Sequence, residues 1–204
     1  SEYDSLGRIK QVTDAHGQTE RFAYTAFGNR DWHQDKRGNT VSYEYDLSGK
    51  LRYEYLPIQS LQSNQSYQQV VNEFQYNQFG EMKAKIEALG LEEQRTTSYS
   101  YDSLGRVSEE HGQQFSVYQQ GVVSPVKYTN YDKAGNMVEE IDALGYRTVH
   151  FYNNLNRLIA SVDPEGYLHT FAYDPVGNLY HQRTYDTKVG SNKNSNIDIN
   201  QLPV

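Results

Sequence analysis

Histidine is the first residue type in this chain that could carry metal or acid–base chemistry. The 204-residue sequence contains six copies: His16, His33, His111, His150, His169 and His181. A zinc-binding helix places two histidines four residues apart, and no such pair occurs here. His150 and His169 fall on segments that a third predicted strand separates, which disfavours a shared metal ion. We therefore predict no metal site.

Aspartate is abundant enough to suggest paired carboxylates for general acid–base catalysis. Most aspartates, however, stand first in a short turn that ends in glycine, as in residues 14–17 (Asp-Ala-His-Gly) and 142–145 (Asp-Ala-Leu-Gly). In that position the carboxylate accepts a backbone hydrogen bond, which is sufficient reason for it. The sequence also lacks a Gly-x-Ser-x-Gly nucleophile elbow and an Asp-x-Asp-x-Asp calcium loop. We therefore predict no catalytic residue and no cofactor.

The dominant feature of the sequence is a tyrosine followed by a short turn, which recurs eight times. Successive motif tyrosines are separated by 21, 21, 31, 25, 30, 21 and 21 residues. A repeated period indicates that one small structural unit is copied along the chain. The base unit therefore has 21 residues, and the three longer steps contain insertions.

A second turn divides most units and defines the expected strands. It falls eleven residues after several motif tyrosines, again with glycine in fourth place, as in residues 35–38 and 163–166. The segments between turns, about six residues long, have the usual length of a strand. Aromatic residues predominate two positions before the motif tyrosine, and side chains two apart share one face of a strand.

This pattern predicts an all-β protein, an antiparallel meander of β-hairpins closed by bulged turns. The residue that closes each motif turn is expected to be left-handed, a conformation that glycine tolerates best and asparagine next best. The residues predicted to form the structural motif are Tyr3, Gly7, Tyr24, Gly28, Tyr45, Gly49, Tyr76, Gly80, Tyr101, Gly105, Tyr131, Gly135, Tyr152, Asn156, Tyr173 and Gly177.

The repeated Tyr-Asp-x-x-Gly-Arg-aliphatic pattern, as in residues 3–9 and 101–107, resembles the YD repeat of RHS-repeat proteins. The resemblance covers residues 1–185 and implies a segment of a long β-sheet strip that spirals into a hollow shell. In bacterial toxins, including the C components of insecticidal toxin complexes, such shells encapsulate a C-terminal toxic polypeptide. Teneurins, which are animal adhesion receptors, are built similarly.

The same resemblance raises the question of self-cleavage, because many bacterial RHS proteins end their shell in a self-cleaving segment with paired Asp-Pro motifs. Here residues 163–166 (Asp-Pro-Glu-Gly) precede residues 174–177 (Asp-Pro-Val-Gly) by eleven residues. Both lie where ordinary turns are expected, and the apolar motif of the cleavage point does not follow Leu179. Proline suits the second position of such a turn, so we do not predict autoproteolysis.

Charge and composition narrow the possible partners. The net charge is −7, from 26 acidic and 19 basic residues, which disfavours nucleic acid and anionic membrane surfaces. The chain has 19 tyrosines and a mean hydropathy of −0.86, so we expect no thick aliphatic core. No apolar run is long enough for membrane insertion by this segment. Cysteine is absent, which excludes disulfides and thiolate metal sites.

We divide the sequence into a YD-repeat strip over residues 1–185 and an Asn- and Ser-rich linker or loop over residues 186–204. Residues 54–75 and 109–130 lengthen their units and are predicted to form longer hairpins; a contact loop for a partner or cargo is the alternative. The chain begins two residues before a motif tyrosine without an initiator methionine, and closed shells of the family contain several times more repeats. We therefore expect a fragment.

By resemblance, we expect a non-catalytic structural wall of a shell that encapsulates a C-terminal toxin polypeptide, in a secreted or cell-surface protein. The expected partners are the remainder of its own parent chain, an encapsulated toxin domain and another toxin-complex subunit. The alternative is a cell-surface adhesion module that binds glycan or protein through its aromatic face. If the tyrosine face lines an enclosed space, the shell wall is favoured. If the tyrosines form an open, accessible stripe, the adhesion module is favoured.

Overall fold

The structure is a computed structural model that describes residues 1–57, 59–60, 67–117 and 121–189. These residues form antiparallel strands joined by tight turns, without a helix, which confirms the predicted all-β hairpin meander. The strands are β1 (Glu2–Tyr3), β2 (Ile9–Thr13), β3 (Thr19–Tyr24), β4 (Arg30–Gln34), β5 (Thr40–Tyr45), β6 (Leu51–Tyr55), β7 (Gln59–Ser60), β8 (Tyr67–Gln68), β9 (Val71–Tyr76), β10 (Met82–Glu87), β11 (Arg95–Tyr101), β12 (Val107–His111), β13 (Phe115–Val117), β14 (Gly121–Val123), β15 (Val126–Tyr131), β16 (Met137–Ile141), β17 (Arg147–Tyr152), β18 (Leu158–Val162), β19 (Tyr167–Tyr173) and β20 (Leu179–Lys188).

The chain divides into two compact units, Ser1–Ser98 and Tyr99–Val204. In the first unit the sheet order is β1-β2-β3-β4-β5-β6-β9-β10-β11, and in the second it is β12-β15-β16-β17-β18-β19-β20. Within each unit the strands of the sheet therefore follow one another in chain order. The short strands β7, β8, β13 and β14 are left out of these sheets. In the described part of the chain, no helix is long and apolar enough to cross a membrane.

The two insertions contain short strand pairs of their own. Strands β7 and β8 pair within residues 54–75, and β13 pairs with β14 within residues 109–130. Strand β6 pairs directly with β9, and β12 with β15, so neither insertion interrupts the sheet of its unit. Residues 58, 61–66 and 118–120 of these insertions lie outside the described residues.

The C-terminal strand extends into the stretch predicted as linker. Strand β20 continues to Lys188, which pairs with Tyr167 at the start of the long strand β19. The amide of Val189 then donates to the carbonyl of Gly166, 2.9 Å away. The first residues of β19 provide backbone partners for this end of β20, so the strand continues beyond residue 185. Residues 190–204 of the predicted linker lie outside the described residues.

The eight turns that follow the motif tyrosines, here called YD turns, share one backbone geometry. In the first, Gly7 N donates to the carbonyl of Asp4 at 3.0 Å, and Asp4 N donates to the carbonyl of Arg8 at 2.9 Å. The same pair of bonds recurs in every copy. The closing residue has positive φ throughout, including 76° at Gly105 and 57° at Asn156.

A β-bulge accompanies the YD turns on the returning strand. In the second copy, Tyr24 is opposite Arg30 and Ala23 is opposite Trp32, which leaves Asp31 without a partner across the ladder. The register also shifts beside the turn in the first, third, fourth, sixth, seventh and eighth copies. An extra residue of this kind increases the local twist and redirects a side chain.

The buried core is small. Among the described hydrophobic residues, those that are buried are Ala84, Val149, Ala160, Val162 and Leu168. Three of these residues, Ala160, Val162 and Leu168, form one cluster in the second unit. Most other strand side chains are only half-buried. Cross-strand contacts and turn hydrogen bonds, rather than a thick core, therefore hold the sheet together.

Candidate functional site

The turn carboxylates act as backbone anchors. Oδ1 of Asp4 accepts hydrogen bonds from the amides of Leu6 and Arg8, both at 2.9 Å, and Oδ1 of Asp102 binds the equivalent amides of its own turn. The side-chain hydrogen bond from Arg106 is the main cause that lowers the pKa of Asp102. These hydrogen bonds account for the acidic residues that the sequence places at the turns.

The arginine that follows a turn glycine links one copy to the next. Nε of Arg8 donates to Oδ2 of Asp4 at 2.7 Å, and its guanidinium carbon lies 4.5 Å from the ring centroid of Tyr24. Arg106 repeats the arrangement in the second unit, at 2.7 Å from Asp102 and 4.4 Å from the Tyr131 ring. Each arginine therefore pairs within its own turn and stacks on the tyrosine of the following copy.

The hydroxyl groups of the motif tyrosines complete this connection. In four copies the hydroxyl donates to the backbone carbonyl of the residue two positions after the closing residue of the preceding YD turn. The observed bonds are Tyr24 to Ile9 (2.9 Å), Tyr45 to Arg30 (2.8 Å), Tyr131 to Val107 (3.2 Å) and Tyr152 to Met137 (3.0 Å). Burial raises the pKa of Tyr45 and of Tyr152, which keeps the donating proton in place. The sequence predicted ring packing but not this destination of the hydroxyl.

Three copies lack the motif aspartate, and in two of them a buried polar atom has no hydrogen-bond partner among the described residues. In the seventh copy Asn153 replaces aspartate, and the buried Nε of Arg157 has no hydrogen-bond partner among the described residues. Arg157 still lies over the Tyr173 ring, at 5.1 Å. In the second copy Thr25 replaces aspartate, and its buried hydroxyl is likewise unpartnered within the described part of the chain.

The tips of the YD turns expose apolar side chains. The residue before the turn-closing position is largely exposed in most copies: Leu6, Phe27, Phe79, Leu104, Leu155 and Val176. The motif turns that the sequence indicated thus combine a half-buried base with an apolar tip in most copies. The sequence interpretation had not assigned any role to these tips.

One histidine forms a chain of polar contacts that the sequence did not suggest. Nε2 of His169 lies 3.1 Å from Oδ2 of Asp163, and its Nδ1 lies 3.0 Å from the hydroxyl of Thr184. Asp163 also anchors its turn by accepting from the amide of Tyr167. These contacts join a turn to two strands. Over the described ranges, no group of three histidine or acidic residues is arranged to hold a metal ion.

Comparison with known proteins identifies the repeat. The family model described as RHS Repeat matches residues 3–30 and 131–168. Over these two segments the chain is similar to RHS-repeat proteins. The matched segments contain the first two YD turns and the sixth and seventh. No curated protein matches this chain.

Several solved structures share the fold of this chain. A chain of the Photorhabdus luminescens Tc holotoxin pore has a TM-score of 0.61 and 18% identity, over 82% of this chain and 9% of that one. A TcdB2-TccC3-Cdc42 structure has a TM-score of 0.65 and 16% identity, over 90% and 11% of the two chains. A TcdB2-TccC3 structure has 0.60 and 17%, over 87% and 10%. The chain thus spans about a tenth of the structural relatives it matches.

Proposed function

We propose that this chain is a non-catalytic wall segment of an RHS shell that encloses a C-terminal toxin polypeptide. The observation that most supports this role is the connection between successive copies. In the second and sixth copies, a tyrosine hydroxyl and a stacked arginine both fix the copy against the one before it. In the third and seventh copies a tyrosine hydroxyl makes the same link. A sheet with so small a core needs such connections to act as a stiff wall.

Several motif tyrosine rings are already covered by a lysine or arginine side chain, which favours a wall over an adhesion module. A cation already lies over the rings of Tyr24, Tyr76, Tyr131 and Tyr173, at 4.5, 5.3, 4.4 and 5.1 Å from the ring centroids. Stacking on a sugar would have to displace these lysine and arginine groups. The motif tyrosines therefore serve the cohesion of the sheet better than they would serve an exposed binding stripe.

The proposed partners follow from the shell role. They are the remainder of the parent chain, an encapsulated toxin domain and a second toxin-complex subunit. The structural relatives combine TcdB2 with TccC3, which supports an association of this kind. We place the assembled protein outside the producing cell or on its surface.

Limited proteolysis of the full-length product of the gene that encodes this chain tests the proposal. We expect its C-terminal toxin segment to resist protease while the wall is intact. The wall-opening variant Gly105→Val should expose that segment, and the matched variant Gly105→Asn should protect it better because asparagine tolerates the left-handed conformation. Cleavage of the segment in the intact protein as fast as in the free polypeptide would contradict encapsulation.

A further inference from the structure

A groove of about 800 Å³ lies between the second and third YD turns of the first unit. Two turn tips flank it, Phe27 and Leu47, with exposed fractions of 94% and 110%. Its lining also includes the motif tyrosine Tyr45 and three acidic residues, Asp31, Glu44 and Asp46. The groove thus combines apolar rims, an aromatic ring and negative charge.

In this groove the second copy lacks the arginine that three other copies place over the next motif tyrosine. Arg8, Arg106 and Arg157 each follow a turn-closing residue and place a guanidinium over the next motif tyrosine. The equivalent residue here is Asn29, which is short and reaches only the carbonyl of Gly49, at 3.5 Å. Among the described residues, no lysine or arginine lies over the ring of Tyr45.

The acidic residues of the groove carry charge that is not neutralised locally. Asp31 is the bulged residue of its hairpin, and it is exposed. Glu44 is exposed and accepts a hydrogen bond from the hydroxyl of Tyr55 at 2.8 Å. Within the described part of the chain, neither carboxylate forms a salt bridge. Asp46 uses Oδ1 to anchor its own turn.

We propose that this groove binds an arginine side chain of a separate partner polypeptide. The guanidinium stacks on Tyr45, as the chain's own arginines stack on the tyrosines of other copies, and pairs with Asp31. Apolar residues beside that arginine contact Phe27 and Leu47. Arginine fits better than lysine because its planar group can stack and pair with a carboxylate at once. This site goes beyond the wall role and does not depend on it.

A peptide titration followed by amide chemical shifts tests the site. The probe is N-acetyl-Leu-Arg-Leu-amide, added to the isotopically labelled chain, with the citrulline peptide as the neutral analogue of equal shape. We expect saturable shifts at Tyr45 and Leu47 with the arginine peptide, and at least tenfold weaker binding of the citrulline peptide. The variant Asp31→Asn should weaken binding at least tenfold.

Further variants separate the proposed site from general charge effects. Asn29→Arg supplies an internal guanidinium and should abolish binding, whereas Asn29→Gln should retain it. Asp186→Asn removes an exposed charge of the second unit and should leave binding unchanged. Equal binding by the citrulline peptide, or undiminished binding to a folded Asn29→Arg variant, would overturn the proposal. Concentration-dependent shifts at Tyr45 without peptide would also overturn it, because the occupant would then be a second copy of the chain.

Discussion

At the scale of the residue, the turn-closing position decides whether a YD hairpin can form. Gly105 has a φ of 76°, and Asn156 meets the same requirement with a φ of 57°. A β-branched side chain fits this left-handed region worst, since the two heavy atoms on its Cβ crowd the backbone. The chain therefore uses two residue types, glycine and asparagine, at the position that requires a positive φ.

Substitution at Gly105 should reveal this requirement. We expect Gly105→Val to lower the free energy of unfolding by more than about 1 kcal/mol, and Gly105→Asn to cost clearly less. At the comparable Gly7, no described atom lies within 4 Å of the place that a Cβ would occupy, so backbone conformation rather than a clash is the cause. Chemical denaturation measures the order, and equal losses for both variants would refute the turn assignment.

Asn153→Asp should stabilise the protein by restoring the missing carboxylate partner of Arg157. In the first and fifth copies that carboxylate lies 2.7 Å from the arginine Nε. The gain should be about 0.2–1 kcal/mol, since the pair is partly exposed. Asn154→Asp, at an exposed turn position, adds the same charge without the partner and is the control. The gain should be present at neutral pH and vanish as pH falls below about 3.9, where the new carboxyl protonates. Equal effects of the two variants would contradict the pairing.

His150 should make stability fall in mildly acidic solution. Burial lowers the pKa of this imidazole, and the nearby Glu140 opposes the shift only in part. A histidine whose folded pKa lies below its unfolded value stabilises the fold at higher pH. That stability is lost as pH falls below about 6.5 towards the folded pKa. We expect His150→Gln to flatten this part of a stability-versus-pH curve measured by urea unfolding. An unchanged slope would exclude His150 as its source.

At the scale of the element, the turn hydrogen bonds of the motif form each hairpin, and contacts to the preceding copy fix its position. The tyrosine hydroxyl and the stacked arginine act across the boundary between two copies, whereas the bulge lies within one hairpin. Within the second unit, Tyr131 donates to Val107 at 3.2 Å and lies 4.4 Å below the Arg106 guanidinium. Adjacent hairpins should therefore unfold together rather than one by one.

Variants of Tyr131 and Arg106 can measure this coupling. Tyr131→Phe should cost about 0.5–1.5 kcal/mol, the value of one hydrogen bond, while Tyr131→Ala should cost more because the ring is also lost. In a double-mutant cycle of Arg106→Met with Tyr131→Ala, we expect a coupling energy of about 0.5–1 kcal/mol. Additive losses in urea unfolding would show that the two side chains act independently.

The sequence could predict the elements because their signals are local. Turn residues such as Asp102 and Gly105 act within a few positions, so the strands and the all-β meander followed from spacing alone. The acceptor of the Tyr131 hydroxyl and the contacts of His169 could not be predicted, since they depend on register between strands. The groove was missed for another reason: the sequence did not show that the residue after a turn glycine can cover the next motif tyrosine, so Asn29 received no interpretation.

At the scale of the whole molecule, two thin units with few buried residues make up the described chain. Their stability rests on repeated contacts between copies, so its source is spread along the sheet rather than concentrated in one core. This distribution suits a segment of a larger wall. It also agrees with the coverage of the structural relatives, of which the chain matches about a tenth.

A cryo-electron microscopy map of the full-length gene product tests the wall role most directly. We predict that residues 1–189 form part of a closed wall. One face of this wall should border an enclosed space that contains density for the C-terminal polypeptide. The motif tyrosines should keep their contacts to the preceding copies. An open sheet with solvent on both faces and accessible tyrosine rings would contradict the wall role and favour adhesion.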